Sequence, residues 1–252
     1  MAHAIDETLA APMPTPDFDL GDYLDERLHR PSFVMAEIGH GPYPLVANLP
    51  RFFSGQRAYI GIEAGMRDRD LAEERAEEFS QQYADANASF LTHDIGEGER
   101  LQGNTCTDEW YEGEFEAETI LPDAAADEVV ASNVFGDPLI APDFGRTTKL
   151  LQEMSRLITH DGLVVVRETI TPANAVFLQE YIVKHAGLTI LKRVELEEAL
   201  DWEQLELFYG THREYANPYQ EGSFYLFMGR TAEPGGPAAA PSLSAVPQAE
   251  IL

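Results

Sequence analysis

Glu37 and Glu63 sit in two short apolar runs, Phe33-Val-Met-Ala-Glu-Ile-Gly-His-Gly41 and Ala58-Tyr-Ile-Gly-Ile-Glu63. The first run passes straight into a Gly-x-Gly turn. Glycine has no Cβ, so Gly39 and Gly41 let a ligand approach the backbone closely. A carboxylate 22 residues after Gly41 is where a nucleotide ribose would find an acceptor for its hydroxyls. Asp94, in Thr92-His-Asp-Ile95, reads either as a third ligand contact or as a turn cap. Asn133 and Asp137, in Ser132-Asn-Val-Phe-Gly-Asp-Pro138, are the polar groups best placed beside a substrate. Asp137 could act as a general base, bind a cationic amine, or cap the turn before Pro138. His40, inside the glycine turn, reads as a proton acceptor or as a space-filler.

The elements needed to position these groups follow from the pattern. Strands are expected over 33–38, 58–63, 89–94, 127–133, 163–166, 188–194 and 224–229. Helices are expected over 45–53, 68–83 and 144–159, and from Pro172 to His185 with Gly187 as the stop. His160-Asp-Gly162 reads as a turn into the apolar run that follows. Strands alternating with helices predict a doubly wound α/β fold, with a mostly parallel seven-stranded sheet covered on both faces. Ligands in such sheets bind beyond the carboxyl ends of the strands, and the glycine turn, Glu63, Asp94 and Asn133 all fall at that edge. Residues 18–230 read as one domain, 1–17 as a loose leading segment and 231–252 as a Pro/Ala-rich tail.

Composition narrows the ligand. Forty-four acids against seventeen bases give a formal net charge of −27, and the only lysines are Lys149, Lys184 and Lys192. Such a surface argues against nucleic acid and suits either simple solvation or a cationic substrate. No run approaches a membrane span and no signal pattern opens the chain, so a cytoplasmic protein is expected. The lone Cys106 cannot form an internal disulfide, and the seven histidines lack the spacing of a zinc site. No metal is expected, although Mg²⁺ on Asp94, Asn133 or Asp137 stays open. A dinucleotide fingerprint fails because Pro44 stands where the third glycine of Gly-x-Gly-x-x-Gly belongs. Of the aromatics near the end, Tyr209–Tyr215 is the better pocket candidate, while most of the others pack the last strands.

Taken together, Ala36-Glu-Ile-Gly-His-Gly41, Tyr59-Ile-Gly-Ile-Glu63, Thr92-His-Asp-Ile95, Leu121-Pro-Asp123 with Asp127-Glu-Val-Val-Ala-Ser-Asn133, and His160-Asp-Gly-Leu163 resemble the class I S-adenosylmethionine-dependent methyltransferase family. The resemblance covers roughly residues 33–170. It implies that S-adenosylmethionine is the cofactor, with Glu37 near its methionine part and Gly39 and Gly41 in the glycine loop. It further implies Glu63 on the ribose hydroxyls, Asp94 and Ile95 at the adenine edge, and Asn133 where the fourth strand opens to the reacting methyl. Tyr43 replaces the usual third glycine and either closes over the cofactor or faces the substrate. A lid helix over Phe18–His29, carrying Tyr23, is also implied. The expected activity is methyl transfer to a small-molecule or peptide acceptor, in the manner of specialised metabolism. Two alternatives remain. A tRNA guanine-N7 methyltransferase shares Glu-Ile-Gly, Tyr-Ile-Gly-Ile-Glu and Asp137-Pro138, but this chain lacks the basic residues that follow there. A non-catalytic scaffold of the same fold would also tolerate the altered loop.

Overall fold

The computed structural model describes residues 18–64, 69–93, 99–102, 109–112, 117–136, 140, 144–169, 180–195, 205, 208–209 and 223–231. Helix α1 (Leu20–His29) opens the described chain. It is capped by the Asp19 carboxylate, which accepts the Asp22 N–H at 3.0 Å. At its other end Arg57 donates to the carbonyls of Leu28 (2.7 Å) and Arg30 (2.9 Å), satisfying acceptors the helix itself leaves open. Strands β1 (Ser32–Ile38), β2 (Gln56–Ala64) and β3 (Ala88–His93) follow, with helix α2 (Arg69–Gln82) between the last two. A small antiparallel hairpin, β4 (Glu99–Gln102) with β5 (Glu109–Glu112), stands apart from the main sheet. Then come β6 (Ala126–Ser132), α3 (Phe144–Leu157), β7 (Ile158–Thr169), α4 (Glu180–His185), β8 (Leu188–Glu195) and β9 (Ser223–Arg230).

Seven strands form one sheet in the order β3-β2-β1-β6-β7-β9-β8. All run parallel except β9, which is antiparallel to both its neighbours. The expected mostly parallel seven-stranded sheet is therefore present, with one reversed strand inserted next to the edge. The chain winds outward from β1 to β3 and then returns to β6 on the other flank of β1. The winding thus reverses between β1 and β6, the point at which open α/β sheets form a crevice beyond the carboxyl ends of their strands.

Side chains alternate across the sheet as the strand period requires. On one face Ala36, Ile38, Val129, Ala131, Val164 and Val166 pack with Leu150, Leu151, Met154 and Leu157 of α3. On the other, Phe33, Met35, Tyr59, Val130, Val165 and Phe227 pack with Leu24 of α1 and Phe79 of α2. Helix α3 is tied down further by Arg156. It donates two 2.7 Å bonds to the Glu153 carboxylate and one of 2.7 Å to Asp123, while Glu153 accepts the Thr119 N–H at 2.8 Å.

Three local expectations change. The helix expected over 45–53 is a single 3-10 turn, Leu45–Ala47. Pro50 has no N–H to continue the ladder, so the chain proceeds through turns such as Phe52 N–H to Leu49 carbonyl at 3.0 Å. His160-Asp-Gly162 is not a turn but lies inside β7. Its ladder with β6 steps from Ala126↔Ile158 to Glu128↔Leu163, so six residues of β7 oppose three of β6 in a bulge. Gly162 permits it, because a Cβ there would lie 2.8 Å from the Asp127 carbonyl oxygen. Helix α1 is present, but Tyr23 is not on a lid: its hydroxyl donates to Glu128 at 2.5 Å. Glu128 lies four residues before the carboxyl end of β6, about 13 Å from the crevice. Pro172 and most of the helix expected around it lie outside the described residues, as do Asp94, Ile95, Asp137 and the 210–222 stretch.

Candidate cofactor and acceptor site

The glycine turn leaves β1 at the reversal point. Gly39 (φ +71°) and Gly41 (φ +54°) both occupy the left-handed region. A Cβ on Gly39 would come within 2.8 Å of Val134 Cγ2, so a side chain there would collide with the chain leaving β6. A Cβ on Gly41 would meet nothing within 4 Å, so the second glycine faces open space. Tyr43 closes the turn, its N–H donating to the His40 carbonyl at 3.3 Å, and it is half-buried.

Glu63, at the end of β2, reaches back over this turn. Its Oε2 accepts the Gly41 N–H at 2.7 Å, and its side chain is 16% exposed. Desolvation raises its pKa, against the opposing pull of the Gly41 N–H and Arg75. A carboxylate has about four lone-pair sites, so the bond to Gly41 leaves acceptor capacity for a vicinal diol.

Glu37 and His40 are placed differently from expectation. Glu37 is 1% exposed and turned into the sheet face beneath the turn. There it accepts the Leu45 N–H at 2.7 Å and a short hydrogen bond from the Tyr59 hydroxyl. Burial pushes its pKa up to about 8. It braces the 3-10 turn after the glycine loop from below and does not face the crevice. His40 is likewise buried. Its ring packs edge-on between Phe79 and Phe90, with centroids 5.6 and 5.5 Å away, and Nδ1 lies 2.8 Å from the Gly41 carbonyl. Desolvation lowers its pKa to about 4. The catalytic role expected for His40 is therefore corrected: an imidazole sealed between two phenyl rings cannot exchange protons with a substrate. Gly61 makes the packing feasible, since a Cβ there would touch both His40 and Phe90 at 3.0 Å or less.

On the other flank, Asn133 follows the end of β6 with φ +55° and its side chain exposed. Arg167, paired with Ser132 across the β6–β7 ladder, holds it twice. The Asn133 N–H donates to the Arg167 carbonyl at 2.8 Å, and Arg167 Nη1 lies 3.4 Å from Asn133 Oδ1. The adjacent Glu168, 3% exposed, accepts the Phe135 N–H at 2.7 Å and further backbone bonds from Val134 and Gly136. Burial raises its pKa to about 7 despite those bonds. Two neighbouring residues of β7 thus grip segment 133–136 from opposite sheet faces.

Sequence reasoning missed Tyr59, Arg167 and Glu168. It also missed the buried group in which Arg27 Nη2 meets Glu128 Oε1 at 3.2 Å and Tyr209 donates to Glu128 Oε2 at 3.1 Å. A detectable signal existed for Arg167 and Glu168: two charges directly follow the apolar Leu163–Val166 run. Tyr209 belongs to this buried group and is 0% exposed, so it does not itself line a pocket. Among the described residues no set of three or more His, Cys, Asp or Glu side chains could hold a metal, and no helix is long and apolar enough to cross a membrane.

No protein-family model matches this sequence, and no curated protein matches it significantly. Among solved structures it is similar to a SAM-dependent methyltransferase from Aquifex aeolicus, at 13% identity, covering 84% of this chain and 89% of that one, with a TM-score of 0.49. It is similar to an antibiotic-related methyltransferase at 18% identity, 86% and 97% coverage and a TM-score of 0.48. A TehB-like SAM-dependent methyltransferase from Corynebacterium glutamicum gives 12% identity, 82% and 85% coverage and a TM-score of 0.49.

Proposed function

We propose that residues 18–230 form an S-adenosylmethionine-dependent methyltransferase acting on a small-molecule or peptide acceptor. The observation that carries this reading is the Glu63 carboxylate, held over the Gly39–Gly41 turn at the point where the sheet reverses. The residues fit an adenosyl sulfonium ligand. Gly41 leaves open space at the turn, and Glu63 is a part-buried acceptor for ribose hydroxyls. The Glu63 carboxylate favours a ligand carrying sulfonium and ammonium charges, with no phosphate cradle needed. Asp94 and Ile95 are proposed at the adenine edge, Tyr43 against the cofactor, and Asn133 and Asp137 beside the acceptor. When bound, the cofactor supplies a methyl already activated on a cationic sulfur. The protein's own task is then mainly alignment, with a base needed only when the nucleophile carries a proton.

Calorimetric titration with S-adenosylmethionine tests the proposal. Saturable binding is expected, and Glu63→Ala should weaken it by about ten- to a hundredfold, the worth of hydrogen bonds to a charged group. No binding at millimolar ligand would remove the reading. Binding without transfer to any amine, phenol or peptide acceptor would favour the scaffold alternative.

A further inference from the structure

We propose that Asn133, fixed by Arg167, offers its amide N–H groups to the acceptor, and so selects an oxygen nucleophile, such as an aryl oxide, over an amine. This rests on the methyltransferase reading above. The argument begins with an asymmetry of the side chains. A guanidinium has donors and no acceptor, so the Asn133 amide atom that faces it must be oxygen. The 3.4 Å separation from Arg167 Nη1 makes a long hydrogen bond, yet the reverse orientation would set two donors against each other. The backbone bond from Asn133 to the Arg167 carbonyl and the left-handed φ of Asn133 fix where the side chain starts. Glu168, holding the next three amides, stops the segment from shifting.

The consequence is chemical. With Oδ1 turned toward Arg167, the exposed part of Asn133 is Nδ2, which carries two hydrogens and no usable lone pair. A group beside it must accept a hydrogen bond. An aryl oxide does so with a second lone pair while the first attacks. An amine that uses its lone pair for attack presents only N–H groups, which meet the Nδ2 hydrogens head-on. Arg167 is 1% exposed and its charge is set against the neighbouring Glu168, so the discrimination falls to the Asn133 hydrogen bonds. The transfer balances simply. The phenol first loses its proton to solvent, and the oxide lone pair then forms the O–CH3 bond. The S–CH3 electron pair withdraws onto sulfur, so anion and sulfonium become a neutral ether and a neutral thioether. An anionic acceptor also reverses the cationic one that net charge suggests.

The test uses the full chain saturated with S-adenosylhomocysteine, and measures binding of para-nitrophenolate and para-nitroaniline by calorimetry. The two probes differ only in the reacting group. The oxide should bind at least about tenfold more tightly. Asn133→Asp, which keeps the shape but cannot donate, should abolish the preference, and so should Asn133→Gly, which suits the left-handed backbone. Each variant is titrated with the S-adenosyl ligand first, and the two probes are compared only on protein saturated with it. Equal binding, a preference for the aniline, binding of neither at millimolar concentration, or a preference that survives in both variants would each overturn the inference while leaving the methyltransferase reading standing. Failure of the S-adenosyl ligand itself to bind would remove both.

Discussion

At the scale of single residues, the site divides into groups that face the crevice and groups that hold them. Glu63 and Gly41 face it; Glu37 and His40 lie underneath. Gly39→Ala should therefore act mainly through the backbone. A Cβ at φ +71° and 2.8 Å from Val134 should cost about 1–3 kcal/mol in denaturant melts and also weaken cofactor binding. Glu37 gives a pH signature. Its pKa of about 8 lies above the ordinary glutamate value of 4.5, so between these values the folded protein binds more protons than the unfolded one. Its contribution is thus present at low pH and is lost as pH rises toward 8. Against Glu37→Gln, wild-type stability should decline across that window by up to about 1.4 kcal/mol per pH unit, and a constant difference would refute the assignment. The groups facing Glu37 are the Leu45 N–H, Tyr59 and Glu63, and Glu37→Gln leaves all three in place. The residue types at this site were legible in the sequence, but their directions were not. Glu37 and Glu63 both look like strand-end acids. Glu37 is one residue before the end of β1 and Glu63 one before the end of β2, yet only Glu63 reaches over the turn.

At the scale of elements, the strands were readable because their apolar runs are continuous and bounded by glycine, proline or charge. The errors fall where one backbone group decides the outcome, as at Pro50 and in the bulge around Gly162. Helix α1 was readable as a helix, but its role was not, because the interaction that places it joins residues a hundred positions apart. Arg27 enters a box of aromatic rings, with Phe208 at 4.4 Å, Phe33 at 5.0 Å, Tyr209 at 5.1 Å and Phe52 at 5.3 Å from its guanidinium carbon. Among the described residues its charge partner there is Glu128, itself fully buried. Removing one partner strands the other charge. Arg27→Met should cost about 3–5 kcal/mol in urea unfolding, and Arg27→Met with Glu128→Leu considerably less. Additive losses in the double variant would show that the two side chains do not act as a pair.

At the scale of the whole molecule, net charge and strand order carry different information. A charge of −27 says that the compact state repels itself. The thermal midpoint should therefore rise with moderate salt, and an electrophoretic shift assay should find no tRNA complex at physiological ionic strength. Either a salt-independent midpoint or a stable tRNA complex would count against that account, and the latter would revive the tRNA alternative. Strand order could not be read locally, since nothing in Ser223–Arg230 announces that it runs backward between β7 and β8. That placement bears on the order of synthesis. Until residues 223–230 have been made, β7 has β6 on one side and nothing on the other, and β8 has no partner in the main sheet. The nascent chain must carry the bare Val164–Val166 edge while synthesis proceeds from residue 166 to residue 230. Its window for misassembly closes only when the last described strand slots in, so quality control of this protein should be most sensitive to changes that delay or weaken that single late step.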